Sequence, residues 1–246
     1  MKILKNAGSF EILTPIRELR AQLKRIEKAG RTCYQSKKKV TEETAKKFVQ
    51  MLLARGHESV IEHSYMSVQF NNISRGFTHE QVRHRLTAIS QESTRYVDYA
   101  KKGEGANLEK FQLKCIVPPH QNENKKVKLE DGRKMSANEM FAEYEKFYRA
   151  LRRTGWPPED ARQFLPIGIK SQIVISADFR EWRHIFKMRT SKYAHWEIRT
   201  VMNNLLEFLQ PILSPVFDDF KEAGIDKNGI RYFEKSKRYF KKIDQS

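Results

Sequence analysis

The chain is poor in several things, and each shortage excludes something. It has two cysteines, Cys33 and Cys115, in 246 residues, which rules out a disulfide-stapled secreted scaffold. No apolar run approaches the ~20 residues of a membrane span. The opening MKILKNAGSFEIL lacks the apolar core and the small-residue cleavage site of a signal peptide. A soluble intracellular (cytoplasmic) protein with reduced thiols and no membrane partner is expected. There is no P-loop and no G-x-G-x-x-G. None of His57, His63, His79, His84, His120, His184 and His195 falls in an H-E-x-x-H motif or a zinc-like cluster, so no metal is expected. Ser90 and Ser93 lie near His84, but no G-x-S-x-G elbow or oxyanion-hole motif accompanies them, which argues against a Ser/His hydrolase.

Acidic residues are also in deficit. There are 47 Lys+Arg against 30 Asp+Glu, a formal net charge of +17. Such a surplus suits a polyanionic partner, either nucleic acid or phosphorylated small molecules. Lysines cluster at Lys37 to Lys39, Lys125 to Lys128 and Lys235 to Lys242, which read as solvated faces. Arginines instead mark compact motifs: Arg83, Arg85, Arg95, Arg162, Arg180, Arg183 and Arg189. The planar guanidinium is suited to bidentate phosphate or carboxylate recognition. With 39% hydrophobic and 11% aromatic residues, the chain has enough apolar content for a packed core.

Thr14-Pro15 reads as the N-cap and first position of a helix carrying Ile16, Leu19, Leu23 and Ile26, with Gly30 at its C-terminal end. A second helix starts near Thr41, buries Ala45, Phe48 and Leu52, and stops at Gly56. Tyr65 to Phe70 alternates as a strand, and from about Thr78 the pattern turns helical. Gln112 to Val117 is a short strand candidate. Residues 119 to 135 are a polar, basic excursion. Ser136 and Glu139 form a capping box ahead of an apolar stripe, Met140, Phe141, Tyr144, Phe147, Tyr148 and Leu151, that ends at Gly155. Pro157-Pro158 opens a short helix that Pro166 ends. Ser171 to Ala177 is a strand, and Asp178 with Glu181 reads as a second capping box for a helix through Arg189. A long helix covers Trp196 to Leu209, and the basic tail from about Lys221 reads as a loosely docked helix. No repeat, linker or clear domain boundary is visible. Without regular β-α alternation, α+β is favoured over a doubly wound sheet.

The unusual stretch is Arg83-His84-Arg85-Leu86-Thr87-Ala88-Ile89-Ser90-Gln91-Glu92-Ser93-Thr94-Arg95-Tyr96. On a helix over 78–87, Arg83 and Arg85 splay to different sides and serve different anions. Ser90 to Tyr96 is then a loop offering hydroxyls and N–H groups to a phosphate. The structural alternative is an exposed basic helix and a polar turn.

This stretch resembles the signature of the flavin-dependent thymidylate synthases, Arg-His-Arg, a seven-residue spacer, then Ser-x-Arg-Tyr. Arg31-Thr32-Cys33-Tyr34 is similar to that family's early Arg-x-Ser/Cys segment, and Gly56 to His63 to its flavin-contacting stretch. Arg162-x-x-Leu165-Pro166 and Arg180-x-x-x-His184-x-x-x-x-Arg189 resemble its C-terminal site. Order and spacing agree over about residues 31–99 and 159–199. The family departures are Ala88 for a frequent Ser, Ser90 and Gln91 for Asn and Glu, and Asp178 for an Asn near the flavin adenosine.

The resemblance implies a single catalytic domain over 1–246, with mixed helices around a central, mostly antiparallel sheet. A basic insertion at about 119–135 and a basic extension at about 221–246 complete it. It implies reductive methylation of dUMP to dTMP, with FAD as cofactor and methylenetetrahydrofolate and NADPH as co-substrates, in a homotetramer with shared sites. Carried over residue by residue, Glu80, Gln81, Val82, Arg83, Gln91, Glu92, Ser93, Thr94, Arg95, Arg162 and Arg189 contact dUMP. His57, Ser59, Glu62, Arg83, His84, Arg85, Gln91, Asp178, Phe179, Arg180 and His184 line FAD. Arg189 has the activating role, stabilising negative charge that develops on the uracil ring. No cysteine is placed to act as a nucleophile, and an unassisted Ser93 is better suited to binding phosphate. The alternatives are a related flavin enzyme making another 5-substituted pyrimidine nucleotide, such as a hydroxymethylated one, and a basic nucleic-acid-binding protein. Nucleic acid is not the expected partner, because it leaves the motifs around His57 and Arg189 without a purpose.

Overall fold

The structure, a computed structural model, describes residues 1–6, 8–33, 35, 40–95 and 112–236. The expectations for Tyr34, Lys37 to Lys39, Tyr96 and the tail beyond 236 lie outside the described residues. Helices and strands mix without regular alternation in an α+β arrangement. The chain forms two compact units, each assembled from three segments. The first comprises Met1–Ser9, Phe70–Gln81 and Ser90–Ile173, and the second Phe10–Gln69, Val82–Ile89 and Val174–Ser246. Because the segments interleave, no one point in the sequence divides the units. A four-stranded sheet has the order β2 (Ser9–Ile12), β3 (Met66–Ser74), β8 (Lys170–Ala177), β4 (Ala88–Gln91).

In the first unit, β1 (Lys2–Leu4) pairs in parallel with β5 (Lys114–Ile116), Ile3 opposite Cys115. α4 (Ala137–Arg153) starts on the expected capping box, with both reciprocal hydrogen bonds of Ser136 and Glu139 present. It ends in a Schellman turn, the Trp156 N–H on the Leu151 carbonyl and the Gly155 N–H on that of Arg152, with Gly155 at φ +92°; only glycine takes that conformation without penalty. Tyr148 and Leu151 pack with Leu113, Cys115, Ala161 and Ile169 as a core. Met140, Tyr144 and Phe147 are exposed, so the stripe on α4 is only half buried. α5 (Pro158–Ala161) runs into a 3₁₀ turn, Arg162–Phe164. Within 119–135 the structure forms a small antiparallel hairpin of β6 (Val127–Lys128) and β7 (Lys134–Met135).

The second unit is built on α1 (Ile16–Cys33), α2 (Glu42–Ala54), α6 (Phe179–Arg189) and α7 (Trp196–Leu209). Leu19, Ile26, Leu52, Ile61, Trp182 and Phe186 form part of its core. Thr41 caps α2 in a capping box. Gly56, at φ +74°, closes the helix in a Schellman turn that brings the His57 N–H to the Leu52 carbonyl. A buried ion pair locks α6 to the segment after α7: Arg183 grips Asp219 through two 2.7 Å hydrogen bonds, with Asp219 wholly buried.

Several expectations need correction. Gly30 lies inside α1, where a Cβ would meet the Phe48 ring at 2.4 Å, so its role is close packing and not chain reversal. The Thr14 hydroxyl accepts the Ser67 N–H instead of capping α1. The helix near Thr78 is α3 (Arg75–Gln81), which starts earlier and stops before Arg83. Residues 88–91, expected in part as loop, are strand β4 on the sheet edge. An exposed edge strand has no buried face and therefore shows no alternation. The tail from Lys221 is not helical in its described part. β9 (Phe220–Ile225) and β10 (Arg231–Lys235) form an antiparallel hairpin. Its turn is organised by Asp226, whose Oδ1 accepts the Asn228 and Ile230 N–H groups.

Removing one partner of a buried ion pair leaves an uncompensated charge and costs about 3–5 kcal/mol. Asp219→Ala is expected to lower the unfolding free energy by that order, seen as a reduced urea midpoint at an unchanged m-value.

Candidate functional site

Predicted site residues fall in both units, and each unit holds its own constellation. In the first, a cavity of about 420 Å³ is lined by Arg75, His79, Thr94, Arg162, Gln163 and residues 165–167 and 169. Arg75 and His79 stand one turn apart on α3 and so share a face. Arg162 Nη1 donates to Thr94 Oγ1 at 3.0 Å, and Arg162 Nε donates to the Glu159 carbonyl at 3.0 Å. Two cations, a hydroxyl and an imidazole over an apolar floor make a site for a small anion-bearing ligand. Gln91 Nε2 donates to Thr78 Oγ1 at 2.7 Å, Arg75 Nη1 donates to the Glu92 carbonyl at 3.1 Å, and Lys170 pairs with the Glu92 carboxylate at 3.1 Å. These bonds hold the 91–94 segment. Ser93 Oγ accepts the Arg95 N–H at 3.2 Å, while the exposed Arg95 side chain pairs with Glu159 at 3.2 Å and does not line the cavity. Glu80 is half-buried. Gln81 is fully buried, and neither of its amide atoms has a hydrogen-bond partner among the described residues.

In the second unit, His84 is buried in the turn after α3, its carbonyl accepting from Thr87 Oγ1 at 2.6 Å. Arg189, in the last turn of α6, donates from Nε to His84 Nε2 at 2.9 Å. The other ring nitrogen, Nδ1, lies 3.5 Å from Glu181 Oε1. An Nε2 that accepts leaves the proton of a neutral imidazole on Nδ1, facing Glu181. Burial, with the charges of Arg189 and His184 adding, pushes the His84 pKa down to about 4. Burial raises that of Glu181, the His184 charge opposing and the Asp178 charge assisting. His184 stands edge-on to His84, ring centroids 5.6 Å apart. Donor atoms of His84, Glu181 and His184 lie within 4.8 Å of one another, close enough for a cation in principle. The Arg189 bond and the tautomer it requires are those of a hydrogen-bonded chain.

The same unit holds further predicted residues. His57, Ser59, Val82, Arg83 and Arg85 are exposed. Arg83 and Arg85 pair with no carboxylate among the described residues, and such a donor set fits the diphosphate of a dinucleotide. Arg180 pairs with Glu62 at 2.5 Å. Asp178 caps α6, its Oδ1 taking the Glu181 N–H at 2.8 Å. The box expected there is one-sided, with the Glu181 carboxylate near His84 instead. The structure gives the Phe179 side chain to the core beside Phe217, and its N–H to Ser64 Oγ. Arg183, grouped with the site arginines by sequence, belongs to the buried pair with Asp219. Sequence reasoning missed Arg75, His79 and Glu181 as site members. The i, i+4 spacing of Arg75 and His79 is visible in the sequence, but only the cavity marks it as meaningful.

The α+β scaffold thus carries a cation-lined cavity and an arginine-bonded imidazole, in a chain with no P-loop and no Rossmann fingerprint. Residues 16–214 match the family described as Thymidylate synthase complementing protein. The flavin-dependent thymidylate synthase of Mycobacterium avium is 32% identical over 211 residues, covering 81% of this chain and 80% of that protein. Its Mycobacterium tuberculosis counterpart is 32% identical over 207 residues, covering 80% and 78%. The chain belongs to the flavin-dependent thymidylate synthase family. Among solved structures, the Helicobacter pylori enzyme ThyX, complexed with FAD and dUMP, has a similar fold. Its TM-score is 0.61 at 20% identity, over 86% of this chain and 98% of that one. The UMP/dUMP methylase PolB of Streptomyces cacaoi, bound with 5-Br dUMP, gives 0.62 at 17% identity, over 89% and 97%.

A folded-state pKa near 4 for His84 sets a sign. As pH falls below the unfolded value of ~6.5, the unfolded chain takes up the proton first, so His84 removes stability between about pH 6.5 and 4, at up to ~1.4 kcal/mol per pH unit. The imidazole NMR signals of His84 are expected to stay those of a neutral ring from pH 7.5 to pH 5; a midpoint near 6.5 contradicts the assignment.

Proposed function

We propose that this chain is a flavin-dependent thymidylate synthase that methylates dUMP to dTMP, with methylenetetrahydrofolate as carbon donor, NADPH as reductant and FAD as cofactor. Family membership carries this reading. It is supported by the presence, within the residues 16–214 that match the family, of an anchored arginine and a cation-lined cavity. We further propose that the whole chain acts as one catalytic domain around a mostly antiparallel central sheet, in a cytoplasmic homotetramer.

Arg162, with Thr94 held against it, grips the dUMP phosphate, and Arg75 and His79 in the same cavity add positive charge and a donor. Glu80, Gln81, Gln91, Glu92, Ser93 and Arg95 complete the nucleotide contacts, together with Val82 and Arg83. Arg95 joins by exchanging Glu159 for phosphate, a cheap exchange because exposed ion pairs are worth only about 0–1 kcal/mol. His57, Ser59, Glu62, Arg83, His84, Arg85, Gln91, Asp178, Phe179, Arg180 and His184 hold FAD. Bound FAD supplies the redox step between the nicotinamide reductant and the transferred carbon. Arg189 stabilises negative charge at the O2/N3 edge of uracil, an effect worth about 3–4 kcal/mol where donors are preorganised. No thiolate nucleophile is needed. Burial, with the Glu145 charge adding, pushes the Cys115 thiol up to about 12.

The test is direct. The purified protein is expected to be yellow, to oxidise NADPH only when dUMP and the folate are present, and to yield a nucleotide with the mass of dTMP. Arg189→Ala should lose at least ~10²-fold in kcat while keeping its flavin spectrum. Arg162→Ala should weaken dUMP binding by about 10- to 100-fold, as expected for a lost charge-assisted hydrogen bond. A product heavier by one oxygen, or full turnover by the Arg189 variant, overturns the proposal.

A further inference from the structure

Arg189 can act on a developing charge only if its guanidinium is fixed beforehand, and the structure shows what fixes it. The Nε–H sits on His84 Nε2 at 2.9 Å. That bond exists only while Nε2 carries a lone pair, that is, while His84 is neutral with its proton on Nδ1. In water the two neutral tautomers of imidazole interconvert freely, and the one protonated at Nε2 would set two donors against each other. Something must hold the proton on Nδ1, and Glu181 Oε1 lies 3.5 Å from that atom.

Glu181 is placed for this. It occupies the first turn of α6, two helical turns before Arg189 on the same helix. Asp178 already caps its backbone N–H, and its carboxyl is largely removed from water. The carboxyl makes no reciprocal capping bond to Asp178, and so is directed to His84. Charged or neutral, it presents an acceptor oxygen to Nδ1–H. The titratable and charged groups recorded against His84 are Glu181, His184 and Arg189, all on α6. His184 meets the ring edge-on.

We propose that Glu181 is a positioning residue for Arg189, acting through His84: it selects the Nδ1-protonated imidazole, whose Nε2 lone pair then clamps the guanidinium. The inference rests on the thymidylate synthase reading for its kinetic arm, but its structural arm does not.

The experiment uses the flavin-loaded protein and three variants. Glu181→Ala removes the acceptor, Glu181→Ser replaces it should the alanine variant not fold, and Glu181→Gln restores an acceptor oxygen. Long-range ¹H–¹⁵N correlations of the histidine rings report the tautomer. Wild type and Glu181→Gln are expected to show His84 protonated at Nδ1 alone. The alanine or serine variant is expected to show a tautomer mixture, with kcat for dTMP formation about 10- to 100-fold lower, the scale of a misplaced catalytic group, and KM for dUMP and flavin content within twofold. An unchanged tautomer in the alanine or serine variant overturns the proposal, as does a loss confined to KM or to flavin content. Absence of dTMP from the wild type overturns the functional reading instead, and the tautomer spectra still decide the clamp.

Discussion

A guanidinium in water is a mobile cation on a long stem, and most of its value to chemistry comes from taking that mobility away. The hydrogen bond from Arg189 Nε to His84 Nε2 does this, and much of the second unit is arranged so that it can form. Residues 82–87 are not helical and form a turn. The Thr87 hydroxyl closes that turn on the His84 carbonyl, and α6 runs from its Asp178 cap to deliver Arg189 in its last turn. The buried Arg183–Asp219 pair and the Trp182 indole, bonded to the Met66 carbonyl at 3.0 Å, tie the same helix to its surroundings. Rigidity is thereby carried from the core to the last turn of α6.

Burial serves the same end chemically. A solvent-exposed histidine would be partly protonated near neutral pH, and a protonated His84 would repel Arg189 and have no lone pair to offer. Burial makes the charged ring expensive, so the position that costs the protein a buried imidazole also keeps that imidazole in the one form that accepts.

What was legible in the sequence follows from how local each signal is. Most caps and helix stops were legible because they are written within four residues: Thr41, Ser136, Asp178, Gly56 and Gly155 act where their spacing predicts, while Thr14 and Gly30, claimed by Ser67 and Phe48, do not. α6 and α7 were legible to the residue. β4 was not, since an exposed edge strand carries no period. The β9–β10 hairpin was overlooked because its basic, aromatic composition looked like a helix face, although Asp226, Asn228 and Gly229 mark a turn. The site was legible as a set of motif positions. Which side chains meet was not, and so Glu181 passed as a capping residue while its carboxyl belongs to His84.

The sorting of arginines lies beyond sequence for a related reason. Arg95, Arg180 and Arg183 look alike as letters, and each sits opposite a carboxylate. The difference is solvent. Arg95 with Glu159 and Arg180 with Glu62 are each roughly half exposed on both sides. Such pairs are nearly neutral in free energy and are readily traded for a ligand's phosphate. Arg183 with Asp219 is sealed, at 3% and 0% side-chain exposure, and breaking it strands a charge in the core. The same ion-pair chemistry thus holds the fold where water is excluded and leaves the cations accessible where water reaches. A net charge of +17 describes neither role until burial is known.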